Sequence, residues 1–105
     1  MEEDKNLQTI MGLIMSGGNA KGSAFEAIKA AKSGDFNLAE SKLKESDKFL
    51  TEAHNSQTDM LTQEANGNHT EVTLLMVHAQ DHMMNAITFR DLAGELVDLY
   101  KKLAN

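Results

Sequence analysis

Proline, cysteine and tryptophan are absent from these 105 residues, and only four phenylalanines and one tyrosine supply aromatic bulk. Without cysteine there is no disulfide frame, no thiolate zinc site and no thiol nucleophile. Without proline nothing breaks a helix by removing a backbone donor. Basic residues are the minority, ten Lys and Arg against sixteen Asp and Glu, for a net charge of -6. That sign argues against a phosphate-backbone partner and against docking on an anionic membrane, so no nucleic acid is expected. No apolar run approaches the ~18 residues of a membrane span, so no direct membrane insertion is expected. The opening Met-Glu-Glu-Asp is the opposite of a basic signal-peptide start. A soluble, cytoplasmic location is the default expectation.

What is plentiful is Ala, Leu, Met, Lys, Glu and Gln, all strong helix formers. The composition reads all-α, and the length suits one domain over residues 1–105. Leu7, Ile10, Ile14, Gly17, Ala24, Ile28 and Ala31 keep a 3-4 spacing, interrupted by Lys21. This predicts a first helix over about 4–32, with Glu2, Glu3 and Asp4 suited to its positive end. Gly17-Gly18 is where it could bend, since each Gly costs ~1 kcal/mol against Ala in a helix interior. Two uses of the pair compete: close backbone approach to a ligand or neighbouring helix, and plain local packing.

Ser33-Gly34-Asp35 is a stop-and-start signal, with Gly34 fitted to a left-handed helix end and Asp35 to the next N-cap. A second helix, about 36–65, carries Phe36, Ala39, Leu43, Ser46, Leu50, Ala53, Gln57 and Met60 on one stripe. Asn66-Gly67 marks the second turn. Thr70 is the expected cap of a third helix over about 71–103, with Glu71 in its first turn and Lys101-Lys102 at its end. Three long helices and two short connections predict an antiparallel up-down-up bundle.

The third helix holds the densest chemistry. Its seam is read as Leu75, His78, His82, Asn85, Phe89, Leu92, Leu96, Leu99 and Leu103, a stripe that packs against other helices. Polar groups inside an apolar seam must be satisfied, solvated or used. Leu74, Val77, Met84 and Ile87 widen the apolar face beyond what two neighbours cover, which predicts self-association through this helix. Asp81 lies about 60° round the helix from His78, facing or flanking that contact.

His78 and His82 are four apart and share a face. In one reading they only hydrogen-bond to Gln57 or Ser46 across the bundle. In a second they bind zinc, because His-x-x-x-His is a zinc spacing and His78-Ala79-Gln80-Asp81-His82 echoes an inverted zinc-peptidase pattern. That module, a hydrolase if it is an enzyme, would use His78, His82 and Asp81, and a third protein ligand is not evident. In a third reading one imidazole is a nucleophile that carries a phosphoryl group. The residue chemistry leaves the second and third readings close.

A resemblance separates them. Residues 72–103, and above all the run from His78 to Met84, resemble the third helix of the lactose/cellobiose-type IIA components of the bacterial phosphoenolpyruvate-dependent sugar phosphotransferase system. Glu52 to Thr58 is similar to that family's second-helix pattern. Gly18-Asn19-Ala20-Lys21 is similar to its first-helix Gly-Asn-Ala-Arg, with Lys for Arg and an atypical Gly22 following. The resemblance covers essentially the whole chain. It implies a homotrimer of three-helix protomers. It implies that Nε2 of His78 takes a phosphoryl group from the histidine-containing phosphocarrier protein and passes it to a cysteine of a IIB component. Gln80 and His82 would lie near that group. Asp81 would meet its symmetry mates at the trimer axis, where a divalent metal such as Mg2+ can sit.

Overall fold

The computed structural model describes residues 2–105, with side chains from Asn6 onward. Its three helices are α1 (Glu2–Lys32), α2 (Phe36–Ala65) and α3 (Leu74–Ala104). The predicted fit of the first three acidic side chains to the α1 dipole falls outside the described side chains. The bundle measures 54 × 21 × 20 Å, a slender rod one helix long. Cross-helix contacts fix its sense. Ser46 Oγ donates to the Ala20 carbonyl at 2.7 Å, and Ser23 Oγ donates to Glu45 at 3.0 Å, so α2 runs against α1. The Phe25 and Phe89 rings meet at 6.4 Å, and α3 runs with α1. Arg90 makes a two-pronged bond to Asp47, at 2.6 and 3.0 Å, which ties α3 back to α2.

Both turns form as their residues dictate. Gly34 (φ 83°) and Gly67 (φ 91°) take the left-handed conformation that closes a helix. The amide of Asp35 donates to Ala30 at 2.9 Å and that of Gly34 to Ala31 at 3.0 Å; Asn68 and Gly67 repeat the pattern on Gln63 and Glu64. Asp35 caps α2 by accepting from the Leu38 amide. The third cap departs from expectation. Thr73, not Thr70, caps α3 by accepting from the Met76 amide at 3.1 Å. Residues 70 to 73 are non-helical, so Glu71 is not in the first turn of α3, and the Thr70 amide instead donates to Glu64.

The α2 stripe faces inward as read: Ala39, Leu43, Ser46 and Ala53 are buried, and Phe36, Leu50, Gln57 and Met60 half-buried. The α3 seam needs correction. Its buried residues are Met76, Ala79, Met83, Ala86, Ala93 and Val97. Leu75, Leu92, Leu96, Leu99 and Leu103, together with His78 and Asn85, stand on the exposed side. The reason is steric. Much of the core is alanine, including Ala20, Ala24, Ala27, Ala31, Ala39, Ala86 and Ala93. Small side chains let the helix axes approach closely, and leucine is too large for those places. α1 lies against both partners along their length, whereas α2 and α3 touch far less. The interior forms two clusters. Ile10, Leu13, Ala53, Met76, Ala79 and Met83 fill one half, and Ala24, Ala27, Ala31, Leu43, Ala93 and Val97 the other.

Candidate functional site

His78 is exposed on α3, and the ring of His82, one turn on, stacks beside it. Their centroids lie 5.8 Å apart with planes 25° from parallel. His82 is half-buried because α1 passes beneath it at Gly17-Gly18. A Cβ built on Gly17 would come within 3.1 Å of His82 Cδ2, and one on Gly18 within 3.3 Å of its Nε2. Of the two uses weighed for the glycines, close approach to a neighbouring helix is the one seen. α1 stays helical through them.

Neither histidine makes a hydrogen bond to another described residue. Ser46 is engaged by the Ala20 carbonyl, and Gln57 Nε2 donates to Gln80 Oε1 at 2.7 Å. The purely structural reading, in which these two side chains held the imidazoles, is therefore overturned. An exposed ring with unused nitrogens can attack an electrophile, and a second ring beside it can donate a hydrogen bond to what is transferred.

Gln80 does not join His78 and His82 within one chain. Two residues of helix turn it by about 160° from His78. It is half-buried against α2, where its Nε2 lies 3.9 Å from Met60 Sδ, with Met76 Sδ of its own helix at 3.7 Å. From sequence Gln57 was a stripe position and a possible partner for the histidines; the structure pairs it with Gln80 instead. Asp81 is exposed on the outward face and accepts from Asn85 Nδ2 at 3.2 Å. Lys21 is exposed, its ammonium 5.7 Å from the centroid of Phe89.

The zinc reading finds no support. Among the described residues, no group of three or more His, Asp or Glu is placed to hold a metal ion. His69 pairs with Glu64 at 2.9 Å near the second turn, and His54 stands exposed on α2.

The site is thus an imidazole pair on the outer face of one helix in a long three-helix bundle. The family is explicit. Residues 8–101 match the model of the lactose/cellobiose-specific IIA subunit of the PTS system, the sugar phosphotransferase system, and the chain belongs to that family. It is 56% identical over 100 residues to the PTS cellobiose-specific EIIA component of Lactococcus lactis, spanning 95% of this chain and 86% of that protein. It is 52% identical over 96 residues to the lichenan-specific phosphotransferase enzyme IIA component of Bacillus subtilis, spanning 91% and 87%. The crystal structure of the PTS cellobiose-specific enzyme IIA from Bacillus anthracis superposes with a TM-score of 0.90 at 44% identity, covering 92% of this chain and 89% of that one. The IIA(chitobiose) in a solution structure of its complex with HPr gives 0.82 at 38% identity, with 93% and 95% covered. The chain is thus a phosphotransferase component of the IIA class. No helix among the described residues is long and apolar enough to cross a membrane.

Proposed function

We propose that His78 is the phosphoryl carrier of this IIA component, working in the cytoplasm. The observation that carries the reading is the exposed His78 ring, free of hydrogen bonds to described residues and stacked on His82. The donor is the histidine-containing phosphocarrier protein, since a relative of the same fold is known in complex with HPr. The lone pair of His78 Nε2 attacks phosphorus, the P–N bond to the donor's imidazole breaks, and its electron pair returns to the donor ring. In the second half-reaction the thiolate of a IIB cysteine attacks, a P–S bond forms and the His78 P–N bond breaks. Nothing is oxidised or reduced. His82 can donate to a phosphoryl oxygen, and such positioned donors are the main aid that phosphoryl transfer needs. Gln80 takes part only when a neighbouring copy brings it to His78, because within one chain it is turned to α2.

The functional assembly is a homotrimer built on the outer face of α3. Its exposed Leu92, Leu96, Leu99 and Leu103 supply the apolar contact. Asp81 stands on the same face, and one chain supplies a single carboxylate there. Three of them on an axis repel, and a hard divalent cation such as Mg2+ would relieve that with oxygen ligands alone. The cargo class is a β-linked disaccharide, the kind that cellobiose- and N,N'-diacetylchitobiose-specific relatives are named for.

The test is incubation with radiolabelled phosphoenolpyruvate, the system's first enzyme and the phosphocarrier protein. One acid-labile, base-stable phosphate per chain is expected, lost in His78→Ala and discharged on addition of a IIB component. Label that never reaches residue 78, or that no IIB thiol removes, overturns the reading.

A further inference from the structure

Four glycines interrupt α1, and they are not alike. Above Gly12 and Gly22 an added Cβ would meet nothing within 4 Å. Gly17 and Gly18 are different, because the His82 ring lies against them. At Gly17 the added atom would press on ring carbon Cδ2 at 3.1 Å, with the His82 carbonyl oxygen behind it at 3.5 Å. At Gly18 it would press on Nε2 at 3.3 Å. The ring is thus bounded by bare α1 backbone on one side and by His78 on another, at 5.8 Å between centroids. Nothing among the described side chains holds it by a hydrogen bond, so its orientation is set by shape.

We infer that Gly17 and Gly18 are positioning residues for phosphoryl transfer: their missing side chains form the seat that keeps His82 stacked beside His78. The inference rests on His78 being the phosphoryl acceptor. A methyl at either position must tilt the imidazole by a few tenths of an ångström, and the tilt moves the one group of this chain stacked on His78. Gly17 is buried and Gly18 half-buried, so the loss is expected in the transferring step more than in donor binding.

The experiment compares Gly17→Ala and Gly18→Ala with Gly12→Ala and Gly22→Ala, which make the same chemical change on the same helix. Rates of phosphoryl uptake from the phosphorylated donor are measured against donor concentration, with circular dichroism as the check on folding. Displacement of a positioned group costs catalysis steeply, so the two inner variants should lose about tenfold or more in kcat with KM unchanged, and the outer two should stay within about twofold. The 15N resonances of His82 should shift only in the inner pair. In a His82→Ala background the inner substitutions should cost nothing further, because the ring they disturb is gone. Should Gly17→Ala fail to fold, Gly18→Ala carries the comparison, since it meets only the ring edge. Inner variants that transfer as fast as the outer ones, or a loss that persists without His82, overturn the inference alone. A wild-type chain that takes up no phosphate overturns the acceptor role of His78, and the seat with it as a device for transfer.

Discussion

Leu92 and Ala93 are neighbours in sequence and opposites in environment, and exchanging their sizes is a sharp probe of the bundle. Ala93 is 0% exposed and sits with Ala24, Ala27 and Val97. Leu92 is 58% exposed. Ala93→Leu enlarges a fully buried position, and overpacking of this kind costs about 1–3 kcal/mol. Leu92→Ala removes a side chain that the single chain covers by less than half. Against the ~2–5 kcal/mol of a fully buried Leu→Ala change, it should cost the protomer about 1 kcal/mol or less. Its larger effect is expected on the proposed assembly. Leu96, Leu99 and Leu103 are 38%, 50% and 72% exposed, so with Leu92 they leave about two leucines' worth of apolar surface uncovered. Covering that surface is worth roughly 3–6 kcal/mol per chain at ~1.5–3 kcal/mol for each leucine. Urea unfolding at two protein concentrations tells the terms apart, because only the assembly term depends on concentration. Ala93→Leu should lower the midpoint at both concentrations. Leu92→Ala should lower it mainly at the higher one and weaken association in sedimentation. A concentration-independent loss above ~2 kcal/mol for Leu92→Ala, with Ala93→Leu tolerated, would show that the leucine stripe faces the interior after all.

Three further outcomes are expected. In the proposed trimer, Asp81→Leu should preserve assembly and abolish any response of its sedimentation to Mg2+ or chelator; a monomeric variant refutes the axial placement of Asp81. Lys42 and Ser23 hydrogen-bond the Glu45 carboxylate and hold its pKa below the ordinary glutamate range. Its favourable contribution is therefore present above the unfolded pKa and is lost as pH falls through the lower folded value. Carboxyl 13C titration should show that low midpoint, and Lys42→Met should raise it; an unmoved midpoint removes Lys42 as the cause. Gly12→Ala and Gly22→Ala should each stabilise the fold by up to ~1 kcal/mol in urea titration, since both positions are helical and open.

Sequence made the helix count, both turns and the whole α2 stripe readable, because those rest on local chemistry: two left-handed glycines, one aspartate cap and a 3-4 spacing. It misjudged α3 because leucine outweighs alanine on any hydrophobic count, whereas the interior of a thin bundle selects for close approach. The correct stripe, from Met76 through Ala86 to Val97, is rotated by one residue from the conspicuous one. Thr70 and Thr73 are equivalent as caps in sequence, and only the path of the chain from Gly67 chooses between them. At the site, His78 and His82 were legible as a helical pair. The seat at Gly17-Gly18 was legible as a close approach but not as to what. The turning of Gln80 toward Gln57 followed from angles that a linear motif does not display.

α3 works on two fronts at once, lining the interior with small residues and carrying the imidazoles and leucines outside. The two fronts are locked in phase by the helical repeat. One residue inserted between His82 and Leu92 would swing the lower half of α3 by about 100°, driving leucines toward alanine-sized space and alanines into water. The number of residues separating the imidazole end of α3 from its leucine-rich end is therefore as constrained as their identities, and length variation in this chain should be confined to its connections and ends.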